Sequence, residues 1–149
     1  MPSRHRSRQR ALQILFQSDL RNQSVDAAIS AFHETLYTAE EEAAAESPAD
    51  PFMEELVRAT AERIEEIDRL IAGHSEHWRL ERMPAVDRNI LRLAVCEMIA
   101  TSTPPAVVID EALELARRFS SDESVPFING VLDAVHRELM ADKAAHSSG

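Results

Sequence analysis

Four arginines stand at alternate positions near the start of the chain, Arg4, Arg6, Arg8 and Arg10, with His5 among them. Guanidinium groups offer forked donors that match phosphate oxygens. Farther along, the run IDEALELARRFSSDESVPFINGVLD, Ile109 to Asp133, gathers Asp122, Glu123, Phe127 and Asn129 in one short stretch. An aromatic face beside polar groups is what single-stranded nucleic acid stacks upon, while backbone cations hold its phosphates. Together the two clusters point to RNA binding rather than to catalysis.

Other chemistry finds less support. Gly73 and Gly130 are the only internal glycines, too few for a loop that wraps phosphates. His74 and His77 stand three apart, but Glu76 lies on the wrong side of the same turn and no third ligand follows at suitable spacing. No metal and no cofactor are therefore expected. The pairs Glu54-Glu55 and Glu65-Glu66 fall on exposed helix faces, without the burial that raises a carboxyl pKa for acid catalysis. No strand-turn context surrounds a serine in the manner of a nucleophile elbow. Cys96, the single cysteine, sits among Leu93, Val95 and Met98 and reads as a structural thiol that suits a reducing, cytoplasmic setting. The chain is expected not to be an enzyme.

Helices must position these residues. A chain of 149 residues with three glycines and almost no alternating β-branched runs reads as all-α, a single compact bundle of about seven helices. The first helix spans about Ser3 to Leu20, with Ala11, Leu12, Leu15 and Phe16 inward. The second begins near Ser24 and Val25 and carries Ile29, Phe32 and Leu36. The alanine- and glutamate-rich TAEEEAAAESPAD prolongs it until Ser47, Pro48 and Asp50-Pro51 break the pattern. Asp50 caps a third helix with Met53, Leu56, Val57, Thr60, Ile64, Ile67 and Ile71 on one side, closed by Gly73. A polar turn through His74, His77 and Trp78 leads to Pro84 and a central helix. There Val86, Ile90, Leu91, Leu93, Ala94, Val95, Met98 and Ile99 cover most of the circumference, so it is largely buried.

Thr103-Pro104-Pro105 stiffens the connection to a sixth helix with its stripe on Ile109, Ala112, Leu113, Ala116 and Phe119, and with Glu114 set to pair with Arg118. Ser124 caps the last helix, Pro126 sits in its first turn, and Ile128, Val131, Leu132, Val135 and Leu139 face inward. At about 100° per residue, Phe127 lies off that stripe, on its flank. Residues 1–3 and 142–149 are expected to be disordered, and residues 1–149 to form one domain. No apolar stretch approaches the length of a membrane span, and Gln13, Gln17 and Asp19 interrupt any signal-peptide core.

The net charge of −10 is unevenly spread. Residues 1–21 hold five arginines against Asp19, a net +4 that leaves −14 for the remainder. Cations near a helix N-terminus cost about 0.3 to 1 kcal/mol each against the macrodipole, so phosphates would both neutralise and order this segment. A solvated basic tail with no particular ligand is the competing reading. Phe127 likewise has two readings, a hydrophobe packed onto Phe119 or a stacking platform, and the residues alone favour the first. Asn129 is a buried structural amide or an RNA contact, and Gly130 reads as a site of close helix packing.

The acidic-Ser step followed by Phe-Ile-Asn-Gly-Val-Leu-Asp resembles the last two helices of the NusB family of bacterial transcription antitermination factors. RHRSRQRALQILFQSDL resembles that family's basic first helix, and MPAVDRNILRLAVCEMI its central helix. Cys96 departs from the pattern, standing where a larger aromatic is usual, which touches packing more than function. The resemblance implies two three-helix subbundles plus a connecting helix. It implies binding of the single-stranded boxA element of ribosomal RNA leader transcripts, together with NusE, a small-subunit ribosomal protein, in a complex that modifies RNA polymerase. On matching positions Arg4, His5, Arg6, Arg8 and Arg10 would neutralise phosphates, Phe127 would stack on a base, and Asp122 or Glu123 would oppose phosphate. Asn129 would assist, and Phe16 and Asp87 would meet NusE. A homodimer would use surfaces of the same kind.

Two rivals stand beside this reading: a helical adaptor that binds protein alone, and a relative of the domain fused to ribosomal RNA cytosine methyltransferases. With its end at HSSG and no glycine-rich cofactor motif, the chain is expected to be free-standing.

Overall fold

A computed structural model of the protein describes residues 3–39, 50–75 and 79–147, without the side chains of 35–39 and 146–147. Residues 40–49 of the alanine-glutamate run, and Glu76, His77 and Trp78, lie outside the described residues, as does the side chain of Leu36. The fold is all-α. Its described helices are α1 (Arg4–Arg21), α2 (Val25–Ala39), α3 (Pro51–Glu62), α4 (Ile64–Ala72), α5 (Ala85–Ala100), α6 (Pro105–Phe119) and α7 (Ser124–Ser147), with a 3-10 turn at Leu80–Arg82. They form two compact units, residues 1–62 and 63–149. No helix among the described residues is long and apolar enough to cross a membrane.

In the first unit α1 packs against both α2 and α3. Ser3 caps α1, its Oγ accepting from the Arg6 N–H at 3.2 Å. Asn22 ends the helix in the left-handed region at φ 49°, which a short polar side chain tolerates better than most. Ala11, Leu12, Ile14 and Leu15 of α1 are buried with Ala28, Ile29 and Phe32 of α2 and Met53, Leu56 and Val57 of α3. Each large member contributes about 1.5 to 3 kcal/mol by leaving water. Phe16 is only half-buried, and Leu20, in the last turn of α1, stays exposed.

The sequence pattern predicts one helix from Pro51 to Ile71, and the structure divides it at Arg63. That residue takes φ −110° and ψ 21°, outside the helical region, and stands at the N-cap position of α4 without a side-chain capping bond. Its guanidinium donates to both carboxylate oxygens of Glu66, at 3.0 and 3.2 Å, and to the Ile99 carbonyl at 3.3 Å. The break is silent in the hydropathy pattern because Thr60, Ile64, Ile67 and Ile71 keep helical spacing across it. Gly73 does end α4, but with φ −63°, so its end needs no left-handed residue.

In the second unit α5 packs against α4, α6 and α7. Ile90, Leu91, Leu93, Ala94, Val95 and Cys96 are all buried, as a helix apolar around most of its circumference requires. Two polar ties fasten α4: Arg92 of α5 grips Asp68 with bonds of 2.8 and 2.9 Å, and His74, just past α4, meets Glu138 of α7 at 2.7 Å. On α6 the buried stripe is Val108, Ala112, Leu115 and Ala116, rotated from the expected one. Ile109 and Leu113 are half-buried and Phe119 is 45% exposed, since offsets of three and four fit either of two neighbouring stripes. On α7, Ile128, Val131, Leu132 and Val135 are buried as expected, and the helix continues to Ser147 through the good helix formers Ala144 and Ala145 rather than ending near 142.

Candidate nucleic-acid interface

The basic start of α1 is divided between two faces. Arg4 and Arg8, one turn apart, both lie over the ring of Phe52 from α3, their guanidinium carbons 4.4 and 5.5 Å from its centroid. Ser7, also buried, donates to Asp50 at 2.7 Å, and Arg10 pairs with the same carboxylate at 3.3 Å. Asp50 additionally caps α3 by accepting the Met53 N–H at 3.1 Å. One carboxylate, 3% exposed, thus serves a helix cap, a hydroxyl and a cation.

Arg8 was expected among the phosphate-neutralising residues, and the structure corrects this. It is 5% exposed, because the face of α1 that carries it packs on α3. Arg10 is largely committed to Asp50, its side chain 14% exposed. Arg4, His5 and Arg6 remain on the solvent side, with Gln9 at hydrogen-bond distance from the His5 ring. The outward charge is therefore concentrated in the first turn.

The junction between α6 and α7 is built differently. Asp87, in the first turn of α5, is 4% exposed and receives hydroxyls on both oxygens: Ser120 donates to Oδ1, and Ser124 to Oδ2 at 2.7 Å. Ser121 reaches the Ser124 hydroxyl at 3.1 Å, and the Ser124 N–H is held by the Ser121 carbonyl at 3.1 Å. Asp87, expected to face a partner, is thus enclosed by two serines within this unit. Between those serines Asp122 and Glu123 are exposed.

Phe127, on the first turn of α7, is half-buried, leaving part of its ring accessible. Phe119 is exposed, with the Arg118 guanidinium 5.4 Å from its ring. Glu114, expected to pair with Arg118, pairs with Arg117 instead, at 2.6 Å. Asn129 is exposed, which removes the buried-amide reading, and a Cβ at Gly130 would meet nothing within 4 Å, which removes the close-packing reading. Among the described residues no three His, Cys, Asp or Glu side chains are grouped as metal ligands; His77 lies outside that set.

Residues 5–137 match the model of the NusB family. The chain belongs to the NusB family. The match runs from the first turn of α1 past the α6–α7 junction. Among NusB proteins, the transcription antitermination protein NusB of Solibacter usitatus is 60% identical, covering 93% of this chain and 92% of its own. That of Koribacter versatilis is 51% identical, covering 97% and 96%. A solved structure of antitermination factors NusB and NusE in complex with double-stranded RNA superposes with a TM-score of 0.73 at 29% identity, over 92% of this chain and 99% of that one.

Sequence reasoning on this NusB-family chain missed Phe52, the triple role of Asp50 and the serine bracket on Asp87. Asp50-Pro51 is legible as a helix start, but the partners of Asp50 in α1 lie 40 and 43 residues away in sequence. No local signal marks such pairings.

Proposed function

We propose that this chain is a transcription antitermination factor that binds the single-stranded boxA element of ribosomal RNA leader transcripts together with NusE, within an assembly on RNA polymerase. The observation that carries the reading is the likeness, over nearly the whole chain, to proteins named transcription antitermination protein NusB. The solved assembly of NusB with NusE and RNA supports the choice of partners.

The mechanism is assembly and not reaction. Arg4, His5 and Arg6 meet phosphates, with Arg10 contributing only as far as Asp50 releases it. Phe127 stacks on a base, which favours an unpaired strand because bases within a duplex are already stacked. Asn129 offers an exposed amide to a base edge, while Asp122 and Glu123 oppose phosphate and hold affinity down. Phe16, half-buried, and the enclosed Asp87 are the NusE-facing candidates, and the acidic remainder of the chain suits a basic ribosomal protein.

Titration of a boxA strand and a scrambled strand at several salt concentrations, with and without NusE, tests this. The boxA strand should bind more tightly than the scrambled one, and NusE should strengthen the difference because two protein surfaces then share one strand. Equal binding of both strands, with no association of NusE in calorimetry, would sink the reading.

A further inference from the structure

We infer that Asp87 is a positioning residue for RNA: it acts through Ser120 and Ser124 to hold the α6–α7 junction in the arrangement that presents Asp122, Glu123 and Phe127. The inference rests on the proposed function, because it assigns a purpose to the junction that reading uses.

Three observations carry it. First, the Asp87 carboxylate is 4% exposed, yet the partners it is given are hydroxyls and not cations. A buried carboxylate is costly unless its oxygens are hydrogen-bonded, so each serine that leaves exposes that cost. Second, the two serines bracket the junction. Ser120 follows the last residue of α6 and Ser124 is the first of α7, so binding both to one rigid group on α5 fixes the ends of the connecting segment at once. Third, the residues between and just beyond them are the accessible ones: Asp122 and Glu123 are exposed and Phe127 is half-buried. Packing alone would be served by an apolar residue at position 87. A carboxylate there determines where hydroxyls of a polar turn must lie.

The dependence is one of population. If the junction visits other arrangements, apparent affinity falls by the fraction of time in which it is competent. Asp87→Ala removes both acceptors. Asp87→Asn keeps one acceptor and supplies an amide that can donate to the second serine, so the tie survives without the charge.

The experiment compares the unaltered chain with Asp87→Asn and Asp87→Ala, well below their melting midpoints, by RNA titration with a boxA strand and by amide hydrogen exchange. For Asp87→Ala, exchange at residues 120–127 should quicken and RNA affinity should fall about tenfold, as expected if the competent arrangement drops to about a tenth. The salt slope should not change, since no phosphate contact is removed. Asp87→Asn should stay within about twofold of the unaltered chain, because its junction remains mostly competent. Should Asp87→Ala fail to fold, Ser124→Ala removes one of the two hydroxyls and is read in the same way.

Faster exchange with undiminished RNA affinity overturns the inference, and so does unchanged exchange, or an Asp87→Asn variant as weak as Asp87→Ala. If the unaltered chain binds no RNA, the proposed function fails instead, and exchange at 120–127 still decides whether Asp87 orders the junction.

Discussion

Asp50 and Asp87 are both buried aspartates near a helix N-terminus, but their neighbours differ in kind. In the first unit Asp50 holds the cation Arg10, the hydroxyl of Ser7 and the first turn of α3. In the second, Asp87 holds Ser120 and Ser124. The first arrangement consumes charge. It withdraws Arg10, and Phe52 beside it takes the buried Arg8, so part of the basic segment is spent on packing α1 against α3, while Arg4 lies over the same ring and stays exposed. The second consumes none of the charge at its junction, and Asp122 and Glu123 stay exposed. A cluster of arginines in sequence therefore overstates the cations available to phosphate, whereas a run of serines understates how firmly a turn is held.

The sharpest break in this comparison is Asp87→Lys. A buried ammonium facing two serines has no compensating anion among the bonds described, and removing the carboxylate while adding a charge should cost about 4 to 5 kcal/mol. Thermal denaturation should show a collapse of stability; a near-normal midpoint would mean the site opens to solvent and can face a partner after all. Asp50→Ala comes next, at about 3 kcal/mol, because it leaves Arg10 unpaired and α3 uncapped. Urea denaturation measures this, and a loss below about 1 kcal/mol, the size of a single cap, would show that Arg10 and Ser7 contribute nothing.

Smaller effects test recognition. Phe127→Ala should change the denaturation midpoint little, since the ring is only half-buried, and weaken RNA binding by about 1 to 3 kcal/mol with the salt slope intact. A large stability loss with full RNA affinity would assign the ring to packing. The smallest effect divides the arginines. Neutralising Arg4 and Arg6 should flatten the salt slope by up to about 1.4, at about 0.7 per phosphate on a single strand. Neutralising Arg8 should leave that slope nearly unchanged while lowering stability. Equal slope changes from both sets would show that burial does not decide which cations meet RNA.

Much of the fold was legible in the chain itself. Helical periodicity, the scarcity of glycine, the starts near Ser3 and Ser24, the cap at Asp50 and the proline at the start of α6 are local signals, and the helices start where they indicate. Ser124, expected to cap α7, is instead its first residue and gives its hydroxyl to Asp87. The burial of α5 followed from apolar residues around its circumference. Family membership was legible for the same reason, being carried by short runs of residues in a set order. What escaped was phase and pairing. The stripe of α6 slipped by a residue because two stripes satisfied the same spacing, and the division at Arg63 cost no apolar residue and so left no gap in the pattern.

The candidate site was legible in composition and illegible in allegiance. That arginines cluster before residue 11, and that Phe127 lies off its helix stripe, are properties of order along the chain, fixed by spacing and by 100° per residue. Whether an arginine lies buried on Phe52 or in solvent, and which groups meet Asp87, depends on which residues tertiary packing brings within about 6 Å. Those neighbours lie 33 to 48 residues away in sequence. Hydrogen bonds and cation–π contacts act only at such range, so no reading of adjacent residues can assign them, and folding alone decides which charges remain exposed.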